Sequence, residues 1–100
     1  MYEHLVVFRF NDLLTVEKED ELLGMLLGLK GEIPGIAELT AGRNVTEETD
    51  NRRGYAIGLR VTFESKVALQ AYGPHPAHQR FVRALDGLLD NVVVVDYPIA

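Results

Sequence analysis

Three histidines are the side chains of this 100-residue chain best suited to acid–base chemistry near neutral pH. His78 shares its predicted helix face with Phe81, Val82 and Leu85, which follow it at helical spacing. An imidazole on an apolar face near a helix N-terminus is partly desolvated, and both effects favour its neutral form. His78 is therefore a candidate general base, although a lone histidine more often has a packing or surface role.

The predicted topology brings further polar groups to the same end of the domain. The chain advances along the last helix and returns along the last strand by nearly the same distance. Asp96 and His4 should therefore lie near His78, with Tyr72 just before the helix break. A carboxylate beside an imidazole fixes its tautomer and raises its basicity. The sequence leaves open whether Asp96 faces His4, His78 or solvent. His75 and His78 are a weak metal-ligand pair, and we expect His75 to be a cap or rim residue and no metal to bind.

The elements that position these residues follow from the hydrophobic pattern. Alternating side chains predict strands at Tyr2–Phe10, Ile36–Val45, Tyr55–Phe63 and Asn91–Tyr97. Helical spacing and capping residues predict helices over residues 16–31, from Ser65 to Tyr72, and from Pro76 to about Leu89. The order βαββαβ favours a ferredoxin-like α+β fold: a four-stranded antiparallel sheet of order 4-1-3-2 with the helices on one face, in a single domain of residues 1–100.

Composition excludes several classes of protein. The absence of cysteine rules out a disulfide scaffold, a thiolate metal site and a cysteine nucleophile. A net charge of −5 argues against nucleic acid as a partner, because phosphate binding needs a concentrated basic face. The longest apolar runs are far too short to span a membrane, and the N-terminus lacks a signal-peptide pattern. We therefore expect a cytoplasmic protein.

The second face of the predicted sheet is unusually apolar. Leu5 and Val7 lie on the opposite face of the first strand from Val6 and Phe8, so both faces of its middle should be buried. With 47% hydrophobic residues, the chain carries more apolar surface than one helix-covered face needs. A monomer rarely exposes such a patch, so the sequence predicts a homodimer formed through the sheet face.

Several segments resemble the stress-responsive α/β-barrel (Dabb) family. They are Glu3–Phe10, Ile33–Ile36, Gly42–Thr46, Gly54–Tyr55, Val61–Ser65, Ala71–His78 and Val95–Tyr97. The most specific among them is the Tyr-x-x-His-Pro-x-His motif that begins at Tyr72. The resemblance covers nearly the whole chain, and it implies a dimeric α+β barrel in which two ferredoxin-like subunits pack sheet to sheet.

The resemblance also implies an activity. A plant enzyme of this family closes a linear polyketide thioester into a ring by an aldol condensation. Its catalytic tyrosine and histidine match Tyr72 and His78, and its first-strand histidine matches His4. By analogy His78 would remove the α-proton, and Tyr72 would hydrogen-bond the developing enolate or thioester oxygen. A pocket tyrosine of that enzyme is replaced by Leu26 here.

These inferences combine into one principal hypothesis and two alternatives. The principal hypothesis is a small enzyme or binder that acts without a cofactor on an apolar carbonyl compound, in a cavity between sheet and helices. It would catalyse an aldol-type or related proton-transfer step with His78 as base and Tyr72 as donor. The predicted site comprises Tyr72, His78, His4, Asp96, Val6, Phe8 and Phe81. One alternative is a non-enzymatic, stress-related structural dimer. The other is a cofactor-independent protein similar to monooxygenases that share the dimeric fold.

Overall fold

The computed structural model describes residues 1–99, which form four strands and four helices. The strands are β1 (Tyr2–Phe10), β2 (Ile36–Arg43), β3 (Tyr55–Phe63) and β4 (Leu89–Pro98). The helices are α1 (Val16–Glu32), α2 (Thr49–Arg52), α3 (Lys66–Tyr72) and α4 (Pro76–Ala84). The single-turn helix α2 lies in a polar segment and was not predicted.

The predicted extension of α4 to Leu89 is wrong. The helix ends at Ala84, and the chain then turns at Gly87, whose φ of 75° lies in the left-handed region that favours glycine. The amide of Leu88 donates to the carbonyl of Leu85 and closes this turn. Strand β4 therefore begins earlier than predicted, with Leu89 paired to Phe10.

All four strands pair antiparallel in the order β2-β3-β1-β4, which confirms the predicted sheet. Val6 lies at the centre of the sheet, opposite Leu59 on β3 and Val94 on β4. The same register sets His4 opposite Asp96. The fold is thus the ferredoxin-like α+β arrangement.

The hydrophobic core lies between the sheet and helices α1, α3 and α4. Thr15 and Ser65 cap α1 and α3 by accepting hydrogen bonds from the amides of Lys18 and Ala68. Helix α4 buries Phe81, but the neighbouring Val82 is 42% exposed, so the prediction that Val82 belongs to the buried stripe is wrong. Val82 lies one residue, about 100° of helix rotation, from Phe81, at the edge of the face that α4 turns toward the sheet.

Among residues 1–99, no helix packs on the other face of the sheet. Leu5 is half-buried and Val7 is exposed, so residues 1–99 of one chain do not cover the second face of β1. The sequence predicts that a second copy of the chain buries this face. On β4 the run Val92–Val95 is exposed on both faces. Among the helices of residues 1–99, none combines the length and the apolar character that crossing a membrane demands.

Candidate functional site

A cavity of about 250 Å³ opens between the sheet and helices α3 and α4. Six of the seven residues predicted for the site line it: His4, Val6, Phe8, Tyr72, His78 and Phe81. The seventh, Asp96, contacts His4. The three polar side chains meet at one end of the cavity, where the ring centroid of Tyr72 lies 5.4 Å from that of His4 and 4.5 Å from that of His78.

His78 is held by the backbone at the helix break. Its Nδ1 lies 3.1 Å from the carbonyl oxygen of Gly73. Because a carbonyl oxygen only accepts, this contact assigns the proton to Nδ1 and leaves Nε2 with the lone pair of the neutral ring. Burial lowers the pKa of His78 below its ordinary 6.5; the bond to Gly73 opposes this shift, and the neighbouring His4 adds to it. His78 is therefore a neutral base at pH 7.

Tyr72 is the most deeply buried polar side chain of the site, with 3% of its surface exposed. It packs edge-on against Phe63, at 5.0 Å between ring centroids. Within residues 1–99 its hydroxyl has no hydrogen-bond partner, while no fully buried side-chain oxygen or nitrogen there lacks one. The hydroxyl is therefore accessible, and Tyr72 lines the cavity. Burial raises its pKa to about 12, so the phenol keeps its proton.

His4 is paired with a carboxylate across the β1–β4 ladder. Its Nδ1 lies 2.5 Å from Oδ1 of Asp96, a residue that the sequence had placed nearby without a definite partner. The His4 side chain is 13% exposed and that of Asp96 is 43% exposed, so the carboxylate faces solvent while the imidazole faces inward. Because a carboxylate only accepts, this contact places a proton on Nδ1 of His4.

The rest of the cavity wall is apolar, and none of its residues was assigned to the site from the sequence. It adds Leu59, Val82, Leu85, Leu89, Val92 and Val94. A signal for two of them was available, since Val92 and Val94 lie opposite Phe8 and Val6 in the sheet. Leu89 could not be found because it was placed in α4.

His75 and His78 do not act as a pair. The Nδ1 of His75 accepts a hydrogen bond from the amide of Ala77, so His75 caps α4 as predicted. Within residues 1–99 no group of three His, Cys, Asp or Glu side chains is arranged to hold a metal ion. Leu26 is buried in the core and does not line the cavity.

The arrangement combines a base with a hydrogen-bond donor in a largely apolar space. The Nε2 lone pair of His78 can accept a proton, and the Tyr72 hydroxyl can donate a hydrogen bond to a developing negative charge. Hydrogen bonds of this kind are stronger where the surroundings exclude water. Such a site suits proton abstraction next to a carbonyl group.

Comparison with known proteins agrees with the fold. The family model for the stress responsive A/B barrel domain matches residues 2–99. Olivetolic acid cyclase from Cannabis sativa is 30% identical over 95 residues, which cover 95% of this chain and 93% of that protein.

Two solved structures extend the comparison. The crystal structure of At3g17210 from Arabidopsis thaliana has a TM-score of 0.87 at 33% identity, covering 100% of this chain and 96% of the other. A protein from Jannaschia sp. CCS1, described as dimeric, ferredoxin-like and of unknown function, has a TM-score of 0.82 at 32% identity over 98% of each chain.

Proposed function

This chain belongs to the stress responsive A/B barrel domain family, and on that premise we propose that it binds an apolar carbonyl compound and transfers a proton at the carbon beside the carbonyl. The observation that carries the proposal is the accessible Tyr72 hydroxyl next to the neutral His78 in an apolar cavity. The similarity to olivetolic acid cyclase supports a cyclase-like reaction.

In the proposed reaction, Nε2 of His78 removes a proton from the α-carbon, and the C–H electron pair moves into the carbonyl to form an enolate. The hydroxyl of Tyr72 stabilises the enolate oxygen by a hydrogen bond and stays protonated, since its pKa is about 12. In an aldol-type ring closure, the enolate carbon attacks a second carbonyl carbon of the same molecule. The proton on His78 then passes to the new alkoxide, which regenerates the neutral imidazole.

His4 and Asp96 complete this end of the site. We assign them a binding and positioning role, because the Nδ1 proton of His4 is held by Asp96 and its ring packs against Tyr72. The carboxylate keeps His4 in one tautomer and in one orientation. The ring in turn limits the positions open to Tyr72.

The folded unit that we propose is a homodimer formed through the open sheet face. Val7, Val93, Val95 and Tyr97 are exposed on that face within one chain, and a similar solved structure is described as dimeric. A structural dimer without catalysis remains the competing function, and the same apolar face supports it. A sedimentation mass equal to that of a single chain would contradict both the proposed homodimer and the structural dimer without catalysis.

Exchange of α-protons with deuterium is the most direct test of the proposed chemistry. We expect the protein to speed deuterium incorporation into a linear methyl ketone in D2O, measured by proton NMR, and His78→Gln to reduce the rate at least about 100-fold. Because the base must be neutral and its pKa is lowered, the rate should fall only on acidification below pH 6.5. It should stay level on the alkaline side until Tyr72 ionises.

His75→Asn provides the matched control. His75 caps α4 outside the cavity, and asparagine is an equally good cap, so this variant should exchange at the wild-type rate. Equal rates in the wild type and His78→Gln would refute the proposal and favour the structural dimer.

A further inference from the structure

The carbonyl group of Gly73, which orients His78, is itself held by a second side chain. Nε2 of Gln79 lies 2.7 Å from the carbonyl oxygen, and Nδ1 of His78 lies 3.1 Å from it. Because a carbonyl oxygen only accepts, the side-chain amide of Gln79 donates to it. A carbonyl oxygen has two lone pairs, so His78 and Gln79 together fill its hydrogen-bonding capacity.

The local sequence explains why two side chains bind this oxygen. In a continuous helix, the carbonyl of residue 73 would accept from a backbone amide three or four residues later. Pro76 has no N–H group, and the amide of Ala77 donates to Nδ1 of His75 instead. Helix α3 ends at Tyr72, and among residues 1–99 no backbone amide donates to the carbonyl of Gly73. The helix break therefore leaves this carbonyl to side chains of α4.

Gln79 is well placed to fix this carbonyl relative to His78. The two residues are adjacent near the start of α4, where the imidazole is half-buried in the cavity wall and Gln79 is exposed. The hydrogen bond from Gln79 is the shorter of the two. Water can also donate to a carbonyl oxygen, but it does not tie that oxygen to the helix that carries the imidazole. Gln79 therefore restrains the acceptor on which the orientation of His78 depends.

We propose that Gln79 is a positioning residue that, through Gly73, keeps the proton of His78 on Nδ1 and the lone pair on Nε2. Nε2 is then left for the cavity that His78 lines. When the carbonyl turns away, Nδ1 loses its acceptor and the proton can move to Nε2, where the ring no longer offers a lone pair to the ligand. This inference rests on the proposed function and adds to it a residue that does not line the cavity.

Nitrogen NMR of protein with isotope-labelled histidine tests this inference without any ligand. At about pH 8 the lowered pKa of His78 keeps the ring neutral, so the wild type should show the two well-separated nitrogen signals of one tautomer. Gln79→Met nearly keeps the length of the side chain but cannot donate. The two signals should then move toward each other as the second tautomer becomes populated. The signals of His78 are identified by their loss in His78→Gln.

Two further variants separate positioning from helix stability. Gln79→Ala also removes the donor, but alanine has the highest helix propensity, so the melting temperature should not fall. We expect its His78 signals to move as they do in Gln79→Met. Gln70→Met is the matched control, because it makes the same substitution at an exposed glutamine of α3. It should leave the His78 signals at their wild-type positions.

The rate of α-proton exchange shows whether this positioning matters for the proposed reaction. We expect Gln79→Met to slow exchange about three- to tenfold, as the loss of one neutral hydrogen bond does, and Gln70→Met to leave the rate unchanged. Unmoved His78 signals in both Gln79 variants would overturn the inference, and so would moved signals with exchange at the wild-type rate. If the wild type exchanges no α-proton, the proposed function fails, while the signals still decide whether Gln79 holds His78 in one tautomer.

Discussion

The β1–β4 ladder carries polar and aromatic side chains at both of its ends, and the two ends differ in how those groups are partnered. At one end, Nε of Arg9 donates to Asp90 at 2.6 Å, and the guanidinium lies 5.2 Å from the ring centre of Tyr55. The Tyr55 hydroxyl accepts a hydrogen bond from the side-chain amide of Asn91 at 2.6 Å. Each of these polar side chains has a protein partner.

At the other end, His4 and Asp96 are paired in the same cross-strand manner, but the neighbouring Tyr72 hydroxyl is not bonded to any group in residues 1–99. This hydroxyl is accessible from the cavity, so its hydrogen-bonding capacity is free for a ligand. A tyrosine therefore serves the fold at the Arg9 end, while we propose that a tyrosine serves chemistry at the His4 end.

Tyr72→Phe gives the largest effect that this comparison predicts. Removing the one donor aimed at the enolate oxygen should reduce α-proton exchange about 100-fold or more. The melting temperature should hardly change, since the lost hydroxyl has no protein partner among residues 1–99. Exchange by NMR and thermal unfolding by circular dichroism measure the two quantities. A large loss of stability with full activity would reverse the assignment.

Asp96→Asn should have a smaller effect on the same reaction. Asparagine can still accept from Nδ1 of His4, but a neutral acceptor holds the ring less firmly than a carboxylate does, so we expect about a tenfold slower exchange. Comparing the exchange rate with the melting temperature separates positioning from folding, because the rate should fall in Asp96→Asn while the melting temperature stays unchanged.

The matched control is Asp90→Asn, which weakens the exposed pair with Arg9. It should lower the unfolding free energy by about 0.5 kcal/mol and leave the exchange rate unchanged. Equal effects of the two substitutions on exchange would show that the ends of the ladder do not differ in function.

Much of the fold follows from the local hydrophobic pattern, because every second side chain of a strand faces the core and is apolar. Strands β1 and β3 begin and end at the predicted residues, and the sheet order is the one that the element order βαββαβ favours. The end of α4 was missed because Leu88 and Leu89 continue an apolar helical spacing. The left-handed turn at Gly87 interrupts it, and the pairing of Leu89 with Phe10 begins the strand there.

The candidate site was harder to predict from the sequence, because the position and lining of a cavity depend on how the helices pack against the sheet. Helical spacing, topology and family resemblance brought His4, Tyr72 and His78 together, and the structure places them around one space. The partner of Asp96 depends on the β1–β4 register, which no local pattern specifies. The exposure of Val82 depends on how α4 rotates against the core, and this too is set by packing.

Tyr55→Phe is the most specific test of the contrast between the two ends. It is the same chemical change as Tyr72→Phe, but it removes a hydroxyl that accepts from Asn91, so the effect should appear in stability. The loss of one hydrogen bond costs about 1 kcal/mol, which lowers the melting temperature of a domain this size by about 4–8 °C. The exchange rate should stay at the wild-type value, because Tyr55 does not line the cavity at His78. A slower exchange with unchanged melting would mean that the Arg9 end also takes part in the reaction.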